Sequence, residues 1–296
     1  MELFLNDEND YLELAIQANQ VETAKYFADS NELLGALKQS ILYNKEEMAH
    51  LFLEMGALDS YAVEDSKEDF PWEIFYNLLS DAALTGNTEL VKFLLDYGYP
   101  YNELSMAQTL NQAICADSLE LVKYLCEECS VSATSTGTGL DSPLETAAFR
   151  GNPEVAAYLV SRGADVSQEE ACLSNAVMKG HLEMARYLLE QGADPNGSAP
   201  QEAGLSSECP LNEAVKIGRL DLATLLVEAG ADVNGVVRWD NGFSPVLCTA
   251  ARLPSVRIVQ YLIDYGADAN TADSDGRTPL DWAASEQIED VIQKSV

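Results

Sequence analysis

Histidine is almost absent from this chain: His50 and His181 are the only two in 296 residues. With so few, no Ser-His-Asp or Cys-His arrangement has independent support, and nucleophilic catalysis of that kind is not expected. Bases are scarce as well. Seventeen Lys and Arg against forty-nine Asp and Glu leave a formal net charge of −32. Such a surface repels nucleic acid and anionic membranes and speeds encounter with basic partners, so neither nucleic acid nor membrane is an expected partner. Apolar runs long enough to cross a bilayer are missing. The opening residues, Met1-Glu2-Leu3-Phe4-Leu5-Asn6-Asp7-Glu8, place acids where a signal peptide needs a basic segment. A cytosolic protein is the direct expectation.

Phosphate-cradling motifs are lacking too. There is no GxxxxGK[ST] and no strand-linked GxGxxG, and Thr136-Gly137-Thr138-Gly139 lacks both the lysine and the strand. The six cysteines, Cys115, Cys126, Cys129, Cys172, Cys209 and Cys248, show no disulfide framework and read as small buried residues. Cys126-x-x-Cys129 is one pair where a closed zinc site needs four ligands, so no metal is expected. No catalytic residue, cofactor or enzymatic activity is implied. Hydrophobic content of 47% nonetheless excludes a disordered chain.

What is present is a repeat. Gly180-His181-Leu182-Glu183 runs through Leu188-Leu189 to Gly192-Ala193-Asp194-Pro195-Asn196. A close copy runs from Gly218-Arg219-Leu220-Asp221 to Gly230-Ala231-Asp232-Val233-Asn234. Other copies end at Gly163-Ala164-Asp165 and Gly266-Ala267-Asp268-Ala269-Asn270, and the opening half recurs in Ser142-Pro143-Leu144 and Thr278-Pro279-Leu280. Each feature has a physical reason. Proline at the first helical position loses no hydrogen bond, and the preceding Ser or Thr can cap. The Ala147-Ala148 and Ala283-Ala284 pairs let helices approach closely. Glycine ends the short first helix, and an acid at the start of the second meets its dipole. Met184, Tyr187 and Leu188 recur at helical spacing and face the stack. The first-helix leucines Leu12, Leu37, Leu79, Leu110, Leu144, Leu173, Leu211, Leu247 and Leu280 mark nine helix pairs, the last shortened.

These segments resemble ankyrin repeats, with Asp273-Ser274-Asp275-Gly276-Arg277-Thr278-Pro279-Leu280 reproducing the turn and helix start almost completely. The resemblance implies an all-α ankyrin-repeat solenoid, whose period is about 33 residues. One array over residues 1–296 is expected, with degenerate N-terminal repeats in 1–57, an acidic insertion at 58–78, repeats over 79–279 and a C-terminal cap at 280–296. It also implies that His181 braces adjacent loops and that binding uses hairpin tips and the ends of the first helices. Carried over, those ends are Leu42-Tyr43, Leu84-Thr85, Cys115-Ala116, Phe149-Arg150, Met178-Lys179, Lys216-Ile217 and Arg252-Leu253. Tyr43, Phe149 and Met178 are the favoured apolar contacts, and Arg150, Lys179, Lys216 and Arg252 place positive charge on the concave helix face of the C-terminal half.

The insertions supply further candidates. Glu64, Asp65, Glu68 and Asp69 form an acidic patch that ends in Phe70-Pro71-Trp72, and Gly235–Phe243 carries Trp239 and Phe243. Trp72 and Trp239 are either partner anchors or covers for repeat edges, since aromatics serve both uses. The expected function is docking on, and inhibition of, a basic protein. Compact bacterial ankyrin proteins of immunity type, which neutralise a toxin, share its size and acidity. A general scaffold or adaptor and a nucleic-acid mimic are the alternatives. The free chain is expected to be a monomer.

Overall fold

The structure is a computed structural model that describes residues 8–28, 32–58, 72–97, 101–136, 141–169, 171–197, 209–239 and 242–295; for 8–10, 72–76 and 238–239 it describes the backbone alone. It forms two compact units, Met1–Pro143 and Leu144–Val296.

In the first unit, helices alternate as four antiparallel pairs: α1 (Glu8–Gln17) with α2 (Val21–Phe27), α3 (Leu33–Leu42) with α4 (Glu46–Glu54), α5 (Trp72–Leu84) with α6 (Thr88–Asp96), and α7 (Glu103–Cys115) with α8 (Leu119–Glu127). The first helices stack on one another in order, α1 on α3, α3 on α5 and α5 on α7, while α2 packs on α4 and α6 on α8. Helix α5 opens at Trp72, so the last seven residues assigned to the acidic insertion are helical and only the stretch before Trp72 is inserted.

The second unit repeats the pattern with α9 (Pro143–Arg150) and α10 (Pro153–Ser161), α11 (Ala171–Met178) and α12 (Leu182–Glu190), α13 (Pro210–Lys216) and α14 (Leu220–Glu228), and α15 (Val246–Ala251) and α16 (Val256–Asp264). A 3-10 turn at Pro279–Trp282 with α17 (Glu286–Gln293) closes the array. One element departs from the sequence expectation. Residues Val236–Trp239 (β1) pair antiparallel with Gly242–Pro245 (β2), with Val236 opposite Pro245 and Trp239 opposite Gly242, where a plain loop was expected.

The leucine anchors explain the stacking. Leu12, Leu37, Leu79, Leu110, Leu144, Leu173, Leu211 and Leu247 are all at most 4% exposed. Leu280 is the exception at 37%. It sits in a single 3-10 turn, too short to present a full apolar face. Ala147 and Ala148 are buried as close-approach residues should be, whereas Ala284 at the final pair is exposed.

The turn after most first helices needs left-handed backbone, although none of residues 252–255 after α15 adopts it. Where the chain lacks glycine in such a turn it uses Asn19 (φ 55°), Asn44 (φ 53°) and Asp117 (φ 60°), the short polar residues that tolerate this region best. Second helices open with Glu22, Glu47, Glu89, Glu120, Glu154, Glu183 or Asp221 in their first turns, against the positive end of the helix dipole.

Candidate protein-binding surfaces

Residues just before the second helices cap their own helix, reach back to the preceding pair, or, as Ser118 does, both. Asn87 and Asn152 cap their own helices, accepting from Leu90 N at 3.0 Å and Val155 N at 2.9 Å. His181 and Arg219 make no such cap. Each reaches back to the preceding pair: the His181 ring nitrogen Nε2 lies 3.1 Å from the Phe149 carbonyl, and Arg219 donates to the Gly180 carbonyl at 3.1 Å. The bracing role expected of His181 is therefore present, and Arg219 repeats it one pair further on. Arg219 also grips Asp221 through both nitrogens, at 2.8 and 2.7 Å, which holds that carboxyl below its ordinary range.

Hairpin tips in the second unit are tied by a ladder of asparagines. Asn196 Oδ1 accepts from Asp232 N at 2.7 Å, Asn234 Oδ1 accepts from Asp268 N at 2.8 Å, and Asn234 Nδ2 donates to the Gly266 carbonyl at 3.1 Å. One amide thus satisfies two backbone groups of the next tip, which orders the tips with backbone-grade bonds.

The first-helix ends carry the exposed side chains. In the first unit Leu42 is 56% exposed, Leu84 48% and Tyr43 41%, and farther up α1 so are Tyr11 and Leu14. The Tyr43 hydroxyl donates to Glu13 at 3.0 Å and accepts from Gln17 at 2.9 Å, which fixes the ring across α1 and α3. Tyr26, on α2, is the most exposed large aromatic among the described residues; it packs edge-on to Phe27, which stacks on Tyr11. No sequence pattern singled out Tyr26, because a lone tyrosine on a short helix carries no periodic signal.

In the second unit Phe149, Met178 and Ile217 are each about two-fifths exposed, and Arg150, Lys179, Lys216 and Arg252 are exposed beside them. Phe149 is half covered, because the Lys179 ammonium lies 4.1 Å above its ring. Lys216 binds Glu213 at 2.6 Å. Arg252 stacks on Trp282 at 4.4 Å, and Arg277 stacks on the same indole at 4.7 Å. The indole N–H donates to Asp273 at 2.7 Å. This stack joins α15 to the closing turn, and the Thr-Pro-Leu-Asp-Trp segment was its available signal. Phe243 is half-buried on β2, and the backbone N–H of Ser274 donates to its carbonyl. Glu64, Asp65, Glu68 and Asp69 lie outside the described residues, as do the side chains of Trp72 and Trp239.

Titratable chemistry in these units runs toward inertness. Burial pushes the Cys172 thiol far up and the Cys248 thiol up to about 12. Burial also raises Cys129, which lies beside the Tyr124 hydroxyl. A groove of about 540 Å³ in the second unit is lined by Arg186, Arg219, Asp221, Thr224 and Arg257, but its arginines are largely spent on neighbouring acids.

Known proteins place this architecture. The family model for ankyrin repeats (three copies) matches residues 79–170, 110–199, 144–237 and 211–294. Diacylglycerol kinase iota of Rattus norvegicus and of Homo sapiens each match at 37% identity over 92 residues, 29% of this chain; the chain spans 9% and 8% of those proteins' lengths. Among solved structures, the human ASB11 ankyrin repeat domain aligns with a TM-score of 0.62 at 25% identity, covering 74% of this chain and 97% of that one. The ankyrin repeat domain of Bcl-3, a member of the IkappaB family, aligns at 0.57 and 24% identity over 73% of this chain and 97% of its own. No helix among the described residues is long and apolar enough to cross a membrane. With matched repeats over most of the chain and the stacked helix pairs that they specify, this protein belongs to the ankyrin-repeat family, a fold of protein–protein interaction modules.

Proposed function

We propose that this chain is a non-catalytic cytosolic binding module that docks on a basic protein through the first-helix face of its first unit, and that docking inhibits that protein. One observation carries the reading: residues 1–143 hold twenty-six acids, six lysines and no arginine, a net charge of −20, and the exposed apolar side chains Leu42, Tyr43 and Leu84 lie in that field. Acids raise the rate of encounter with a cationic surface, and apolar anchors slow release. Partner lysines and arginines gain further from the faces of Tyr11 and Tyr43. Glu64, Asp65, Glu68 and Asp69 are four of those twenty-six acids. Covering a functional surface of the partner is enough to inhibit it, which is the immunity-type outcome.

The test is a titration of the full chain with a fluorescent peptide of Lys-Leu-Ser repeated to about twelve residues, a length that spans several stacked pairs in extended form. Binding should weaken steeply between about 50 and 300 mM salt. It should fall about tenfold in Leu42→Ala/Tyr43→Ala, the loss of two partly buried anchors. Salt-independent binding, or an unchanged affinity in that variant, overturns the reading.

A further inference from the structure

The first-helix ends of the two units differ in chemistry. In the first unit the paired positions are Gln17-Ala18, Leu42-Tyr43, Leu84-Thr85 and Cys115-Ala116, without a cation among them. In the second unit they are Phe149-Arg150, Met178-Lys179, Lys216-Ile217 and Arg252-Leu253. Each of the four successive pairs there presents one cation beside one apolar side chain. The cations are exposed, and three of the four apolar partners are about two-fifths exposed. This occurs in a unit that holds twenty-three acids against eleven bases, none of the acids at these positions. Chance placement of so few bases would not be expected to fill all four positions.

We infer that this row is a second docking surface, and that its occupant is an acidic peptide segment carrying an apolar side chain beside each carboxylate. The inference shares the protein-binding reading above but concerns a different surface of opposite charge. Complementarity is the first argument. Arginine in particular offers a planar fork to carboxylates. The second is preorganisation. Lys179 is held over the Phe149 ring and Arg252 over the Trp282 indole, while Lys216 would exchange its Glu213 partner for a carboxylate of the segment. Cations already placed lose less side-chain entropy on binding than free ones. Stacking on a ring leaves the edge of the guanidinium open for hydrogen bonds, so Arg252 can keep its indole contact and accept a carboxylate.

Spacing gives the segment's form. Packed helices lie about 8–10 Å apart, and an extended strand advances about 3.3 Å per residue. A carboxylate at every third residue therefore meets successive cations, with the intervening apolar residue reaching Phe149, Met178 or Ile217.

The test uses the full chain and a fluorescent peptide of Glu-Leu-Ser repeated to about twelve residues. Saturable binding is expected despite the protein's net charge of −32. Arg150→Glu/Lys216→Glu removes two cations without disturbing either ring stack, and the affinity should fall about tenfold or more. Arg162→Glu/Lys294→Glu changes the net charge equally at exposed positions off the row and should leave affinity within about twofold. Thermal melting of each variant shows that it is folded, and Arg150→Gln/Lys216→Gln replaces any that is not. Absence of saturable binding, or equal losses in the two charge-matched variants, overturns the inference. The lysine peptide in parallel separates the two surfaces: its failure alone removes the basic-partner reading, and failure of the glutamate peptide alone removes this one.

Discussion

The imidazole of His181 lies directly over the α-carbon of Gly151, so a β-carbon added at Gly151 would overlap the ring. Gly151 also has φ +77°. Gly218 occupies the matching turn two pairs later at φ +71°, but nothing lies within 4 Å of its missing β-carbon.

These two glycines separate backbone strain from close approach. Gly218→Ala should cost about 1 kcal/mol, the penalty for a side chain in left-handed backbone. Gly151→Ala should cost about 3 kcal/mol, since it also displaces the ring and the His181–Phe149 contact. Urea denaturation of both variants measures the difference, and equal losses would show that the imidazole is not a fixed brace. The double variant Gly151→Ala/His181→Ala should recover part of the loss, because the obstruction is gone.

Asn234 bonds two backbone groups of the next hairpin tip through one amide. Asn234→Ala should therefore destabilise the second unit by about 1–2 kcal/mol. Asn234→Asp keeps the acceptor toward Asp268 N and loses the donor to Gly266, so its loss should be smaller than that of Asn234→Ala at high salt, where the added repulsion is screened. Hydrogen exchange at Asp268 N reads the ladder directly; protection there that survives Asn234→Ala would count against it.

Acid should loosen the closing turn before it unfolds the stacked helices. The backbone and side-chain hydrogen bonds of Thr278 hold the Asp281 carboxyl below its ordinary value, and the backbone N–H of Asn270 does the same for Asp268. A carboxylate with a depressed folded value contributes stability that is present above the unfolded value, about 3.9. That contribution is lost as pH falls through the folded value. Asp281→Asn should therefore be less stable than the parent at pH 7, with the gap closing below about pH 4. Melting curves across that range check the sign, and a gap that widened in acid would refute the assignment.

Much of this molecule was legible in the chain. Eight of the nine leucine anchors are buried, and the acids at second-helix starts fall where the dipole favours them. The hairpin of β1 and β2 has only half a local signal: Val236-Val237-Arg238-Trp239 is β-prone, but Gly242-Phe243-Ser244-Pro245 is not. Leu280 continues the leucine period, yet it is exposed, because the single 3-10 turn that holds it presents no full apolar face.

The sequence by itself determined the family, the number of helix pairs and the turns between them, since proline, glycine, acid and leucine positions act through local backbone physics repeated many times. Tertiary structure decided what each exposed side chain does. Phe149 and Lys179 are separate candidates along the chain, but stacking makes them one unit, and Arg252 is a surface cation only after Trp282 has fixed it. Such pairings join residues about thirty positions apart. They arise when one repeat is laid on the next, a step that depends on side-chain packing between repeats and leaves no mark on the pattern within either.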